Sequence, residues 1–128
     1  MINTAHEVIV LAGGIGSRLQ PIAGDTPKCL MPVNGKPFLQ YLLEHLFSCG
    51  FRRFVFALGH GHEKMLAFLS SFENELQLQD ETIRFIASVE HEPLGTGGAI
   101  VQALQHCHAE HVLVVNGDSI LLTNAANA

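Results

Sequence analysis

The chain has 128 residues, of which 48% are hydrophobic and 15% charged, and it carries a net charge of -5. That length makes one domain, residues 1–128, with a real core, and the apolar share excludes a disordered chain. The mild acidity argues against a nucleic-acid binder that works by charge, so any anion site must be a local gathering of cations and amides. Three cysteines, Cys29, Cys49 and Cys107, imply no disulfide framework and suit a reducing, cytoplasmic setting. The amino terminus lacks the basic and apolar regions of a signal peptide. The apolar runs fall well short of the ~20 residues of a membrane span, so no membrane partner is expected.

The first predicted strand runs from His6 to Ala12, a short apolar run of the kind buried on both faces of a parallel sheet. It breaks into Gly13, Gly14 and Gly16, with Arg18 just beyond and Lys28 ten positions later. Glycines past the carboxyl end of a strand let backbone amides approach phosphate oxygens, and the two cations supply positive charge. A turn flanked by two surface cations is the plainer alternative. The dinucleotide fingerprint is excluded, because Leu19 stands where its third glycine belongs. The Walker A loop is excluded too, because Gly35-Lys36 is followed by Pro37.

A proline-rich loop follows, then an Asn34-Gly35 turn signal. Pro37 opens a helix whose apolar residues, from Phe38 to Phe47, recur at helical spacing, and Gly50 closes it. A second strand is predicted over Phe54 to Leu58 and a helix over about His62 to Phe72. A polar connection spans Glu73 to Thr82, and a third strand runs from Ile83 to Val89. Gly95 to Ala99 open another helix, through about Gln105, and Val112 to Val115 form a fourth strand ending in Asn116-Gly117-Asp118. Strands alternating with helices predict an α/β fold, Rossmann-like, with a mostly parallel sheet and flanking helices. Ligands of such sheets sit at the carboxyl ends of the strands, where the glycine loop, Gly59 to Gly61, Glu90 to Gly98 and Asp118 all collect.

Asp118 is a candidate ligand for Mg²⁺, a hard cation that takes carboxylate and phosphate oxygens; a turn aspartate is the alternative. Gly97 and Gly98 lie where free helix amides can meet a phosphate or a base, against an ordinary helix start with Thr96 as N-cap. His106, His108 and His111 read as a solvated cluster rather than a metal site, and His60 and His62 as loop structure rather than substrate contacts. Cys29 reads as a packed thiol, and Arg52 and Arg53 as solvated.

The string from Leu11 to Pro21 with Thr26-Pro27-Lys28, the run Glu92 to Ala99, and Asn116-Gly117-Asp118 together resemble the signatures of the sugar-1-phosphate nucleotidyltransferases. They come in that family's order and cover the chain to about Leu122. The run from Thr26 to Leu39 is most similar to the D-glycero-D-manno-heptose 1-phosphate guanylyltransferases, with the mannose-1-phosphate enzymes next. The resemblance implies the amino-terminal part of a GT-A-like nucleotidyltransferase fold. It implies transfer of a nucleoside monophosphate, GMP from GTP, to manno-heptose or mannose 1-phosphate, with release of pyrophosphate. Leu11, Ala12, Gly13, Gly14 and Gly16 would line the nucleotide, and Gly97 and Gly98 its base or ribose. Arg18 would hold the leaving pyrophosphate, Lys28 the reacting phosphates, and Asp118 the Mg²⁺.

No acidic residue follows Asp118, so the family's second metal-binding aspartate and its sugar wall are missing. The chain therefore reads as the nucleotide-binding half of such an enzyme, with a non-catalytic nucleotide-binding module as the alternative. A sheet without its last strands would expose apolar surface, and a homo-oligomer is expected from that.

Overall fold

The computed structural model describes residues 7–12, 28–59, 62–90 and 95–117, and of Lys28 and Thr96 the backbone alone. Six strands and three α-helices appear among them. β1 (Glu7–Leu11) is followed by a single 3-10 turn, Lys28–Leu30, and by the two short strands β2 (Pro32–Val33) and β3 (Lys36–Pro37). Then come α1 (Phe38–Ser48), β4 (Arg53–Leu58), α2 (Glu63–Gln77), β5 (Arg84–Val89), α3 (Gly95–Leu104) and β6 (Leu113–Asn116).

β1, β4, β5 and β6 form one parallel sheet in the order β5-β4-β1-β6. The chain builds outward from β1 to β4 and β5, then returns and lays β6 on the other side of β1. The sheet therefore reverses direction between β1 and β6. Val8, Val10, Phe54, Phe56 and Leu58 face the layer of α1 and α2, whose Leu39, Leu42, Leu43, Leu46, Met65, Leu69 and Phe72 are buried against them. Ile9 and Val55 face the other way and pack with Ala103 and Ile100 of α3. Burial on both faces is the reason the central strands read as unbroken apolar runs.

The four main strands and three helices fall where the hydrophobic pattern puts them. Two local readings need correction, and a third is extended. α2 runs five residues past the expected Phe72, because Leu76, 3% exposed, continues its buried stripe through a segment whose other residues are polar. Thr96 is not an N-cap, since α3 already begins at Gly95. The Asn34-Gly35 turn joins an actual two-stranded ribbon, with both residues at positive φ (53° and 84°). The ribbon is clipped to α1 by Tyr41 Oη, which donates to the Val33 carbonyl at 2.7 Å, and by the Lys36–Glu44 ion pair at 2.7 Å.

Arg52 and Arg53 are not simply solvated. Arg52 stacks on the Phe47 ring at 4.3 Å and donates to Asp80 at 2.6 Å. Arg53 Nε lies 3.3 Å from Glu7, an ion pair rather than a hydrogen bond. Cys29 packs as expected, 5% exposed beneath the sheet. No helix among the described residues is long and apolar enough to cross a membrane.

Candidate functional site at the carboxyl ends of the strands

A parallel sheet ends in a row of backbone groups at one rim, and the residues just past each strand decide what that rim can bind. Here the hydrogen-bond ladder continues one residue past three of the strands. Ala12 N–H donates to the Ala57 carbonyl at 3.0 Å, and Glu90 N–H to the Leu58 carbonyl at 2.8 Å. Gly117 N–H donates to the Leu11 carbonyl at 3.0 Å. The last bond joins the end of β6 to the end of β1 at the point where the strand order reverses. A crevice at such a switch point is the usual ligand site of open α/β sheets.

Of the expected nucleotide-lining residues, Leu11 and Ala12 are half-buried at the tip of β1. Gly97 is exposed and Gly98 half-buried, both in the first turn of α3, which packs across β1 and β4. A Cβ at Gly97 would meet nothing within 4 Å, so the backbone there is open to an approaching group. Gln102 Nε2 donates to the Val89 carbonyl at 3.0 Å and ties α3 to the end of β5. Lys28 opens the 3-10 turn, whose next residue, Cys29, is embedded in the core. Gly13, Gly14, Gly16, Arg18 and Asp118 lie outside the described residues.

Asp118 is the next residue in sequence after Gly117, whose N–H is bonded to the end of β1. One carboxylate with phosphate oxygens is a donor set that suits Mg²⁺. Gly117 is the residue whose role the motifs left unassigned. It is buried, and its signal in the sequence was its place between the strand and the aspartate.

Of the described histidines, His62 lies at this rim, and His106 and His108 stand apart from it. His62 Nδ1 lies 3.1 Å from the Gly59 carbonyl and serves the turn after β4. His60 lies outside the described residues. His106 and His108 sit at the opposite end of the sheet, where Arg53 donates to the His106 carbonyl at 3.1 Å. No group of three or more metal-ligating side chains converges among the described residues.

A family model for the MobA-like NTP transferase domain matches residues 8–127. The D-glycero-alpha-D-manno-heptose 1-phosphate guanylyltransferase of Aneurinibacillus thermoaerophilus is 33% identical over 118 residues, 92% of this chain and 48% of that protein. The protein of the same name from Campylobacter jejuni is 37% identical over 113 residues, 88% of this chain and 48% of its own length. Among solved structures, HddC from Yersinia pseudotuberculosis complexed with GMP-PN superposes with a TM-score of 0.77 at 32% identity, covering 95% of this chain and 52% of HddC. The chain spans about half the length of these relatives.

Proposed function

The chain belongs to the MobA-like NTP transferase family, and from that membership we propose that it forms the nucleotide-binding half of a sugar-1-phosphate nucleotidyltransferase. The reaction proposed is GTP plus manno-heptose or mannose 1-phosphate giving the GDP-sugar and pyrophosphate. The observation that carries the reading is the pairing of β1 with β6 at the sheet's reversal. It puts the roots of the glycine loop and of the Asn-Gly-Asp motif one hydrogen bond apart. Similarity to heptose 1-phosphate guanylyltransferases supports guanine and the heptose.

In this reading the amides of Gly13, Gly14 and Gly16 receive the triphosphate, and Leu11 and Ala12 form the floor beneath the nucleoside. Gly97 and Gly98 leave room for its base or ribose at the start of α3. A phosphate oxygen of the sugar 1-phosphate attacks the α-phosphorus in line, and pyrophosphate departs toward Arg18. Lys28 neutralises the oxygens of the α-phosphate and of the attacking sugar phosphate. The nucleophile is already an anion, so no general base is needed, and catalysis is positioning and charge neutralisation. Bound by Asp118, Mg²⁺ would supply further neutralisation of the phosphate charge.

The test is pyrophosphate release with Mg²⁺, with the four nucleoside triphosphates offered against heptose, mannose and glucose 1-phosphates. The expected result is release confined to GTP with heptose or mannose 1-phosphate, falling at least ~100-fold in Asp118→Ala, the scale of losing a group that stabilises transition-state charge. A folded chain that binds GTP and releases nothing would be a binding module. No binding of any nucleotide would refute the reading.

A further inference from the structure

The end of β5 carries two polar side chains that the proposed reaction does not use. Ser88 is 3% exposed, and its Oγ is a buried atom without a hydrogen-bond partner. An orphaned buried hydroxyl is a cost to a fold and calls for a reason. Glu90, two residues on, is half-buried, and among the described residues nothing donates to its carboxylate. Its own N–H continues the ladder to the Leu58 carbonyl. The strand's alternation therefore holds through Glu90 and puts both side chains on one face. That face is the one α3 covers, because Ile86, two residues before Ser88, packs against the cluster that holds Ala103.

The strand register ties this pair to the proposed nucleoside floor. Ser88 pairs with Ala57, and Ala57 with Leu11, on one rung across three neighbouring strands. Adjacent strands lie about 4.8 Å apart, so Ser88 is roughly 10 Å from Leu11, with the small side chain of Ala57 between them. Leu11 packs on the α3 face as well. Glu90 stands beyond that rung, at the rim itself, shortly before α3 begins at Gly95.

We propose that Glu90 and Ser88 select the base: the Glu90 carboxylate accepts the N1–H and the 2-amino group of guanine, and the Ser88 hydroxyl donates to that carboxylate and holds it in place. The proposal rests on the reading of the site as a nucleotidyltransferase's and deepens it by naming what discriminates among nucleotides. An ionised carboxylate is acceptor-only, with two oxygens side by side. Guanine is the common base whose pairing edge shows two adjacent N–H donors. Adenine and cytosine set a ring acceptor beside their amino group, and uracil flanks a single N–H with carbonyls. A carboxylate therefore takes guanine with two bonds and meets an acceptor in each of the others. Glu90 is the specificity-determining residue, and Ser88 a positioning residue that acts through it.

The test is calorimetric titration of GTP, ITP, ATP and UTP into the 128-residue chain, ITP being GTP without the 2-amino group. Parent, Glu90→Gln, Ser88→Ala and the double variant are compared, with thermal midpoints recorded alongside. The parent should bind GTP roughly 10–100-fold more tightly than ITP, the scale of a hydrogen bond to a charged group, and ATP and UTP more weakly still. Glu90→Gln turns one acceptor into a donor. It should weaken GTP by roughly 10–100-fold and ITP by less, so that the gap between them closes. Ser88→Ala should keep its thermal midpoint, because the free protein loses no bond. It should weaken GTP about three- to tenfold, and by less where Glu90 is already Gln.

A parent that binds GTP and ITP equally overturns the proposal and leaves the nucleotide-binding reading standing. So does a folded Glu90→Gln that keeps the parent's preference, or that loses every nucleotide in equal proportion, the mark of a structural role. A Ser88→Ala loss that persists undiminished in the double variant refutes the coupling of the two residues. A parent that binds no nucleotide refutes the functional reading, and the proposal falls with it.

Discussion

Single side chains do much of the work of tying the loops to the sheet, and Asp80 illustrates how. Its carboxylate accepts the hydroxyl and the amide of Thr82 and pairs with Arg52. These bonds, the Thr82 pair first and Arg52 after them, lower its pKa from 3.8 to about 2. A carboxyl depressed in the folded state adds stability above its unfolded pKa, and that stability is lost as pH falls through the folded value. Asp80→Asn should therefore lower the urea midpoint by a constant amount above about pH 5, with the gap closing between about pH 4 and 2. Urea melts at pH 2.5, 4 and 6 check this; a gap independent of pH would refute it. Nothing in the local sequence names Arg52 as the partner, which lies 28 residues away.

The elements themselves were legible because each has a period and an end signal. The buried stripe Leu39, Leu42, Leu43, Leu46 marks α1, and the all-apolar run Phe54–Leu58 marks β4. What the pattern could not show was how one element is pinned to the next. The connection from α3 to β6 is held by Glu7, a carboxylate 7% exposed at the start of β1. It accepts the amides of His108 and Ala109 at 2.8 and 2.9 Å and faces Arg53. Glu7→Ala would leave both amides and the guanidinium without this partner, at a cost of roughly 2–4 kcal/mol. Glu7→Gln, which keeps an acceptor, should cost less. Chemical denaturation ranks the two, and amide exchange at His108 and Ala109 should quicken first in Glu7→Ala.

At the scale of the molecule, two layers cover the sheet unequally. The side of α1 and α2 holds the larger core, with Phe85 of β5 set edge-on to Phe54 and Phe56 at 5.3 and 5.0 Å. Phe56 is fully buried there. Phe56→Ala should cost ~3–5 kcal/mol, a large share of the ~5–15 kcal/mol of a domain this size. The midpoint of a urea transition should fall accordingly with its slope unchanged. Among the described residues the other side has α3 alone, and Val101, Leu104 and Val114 are 62%, 44% and 38% exposed.

Composition, periodicity and three motifs were enough for the α/β class, the run of strands and helices, the family and the list of candidate site residues. Those are local properties: a glycine run after a strand or a carboxylate after another is written in consecutive residues. Strand order is not local. That β6 lies beside β1 rather than beyond β5 depends on which faces bury the most apolar surface once all the helices are packed. Only that arrangement brings Leu11 and Gly117, more than a hundred positions apart, within one hydrogen bond. The motifs are therefore written in the sequence, while the neighbourhood of Leu11 and Gly117 is made by the packing.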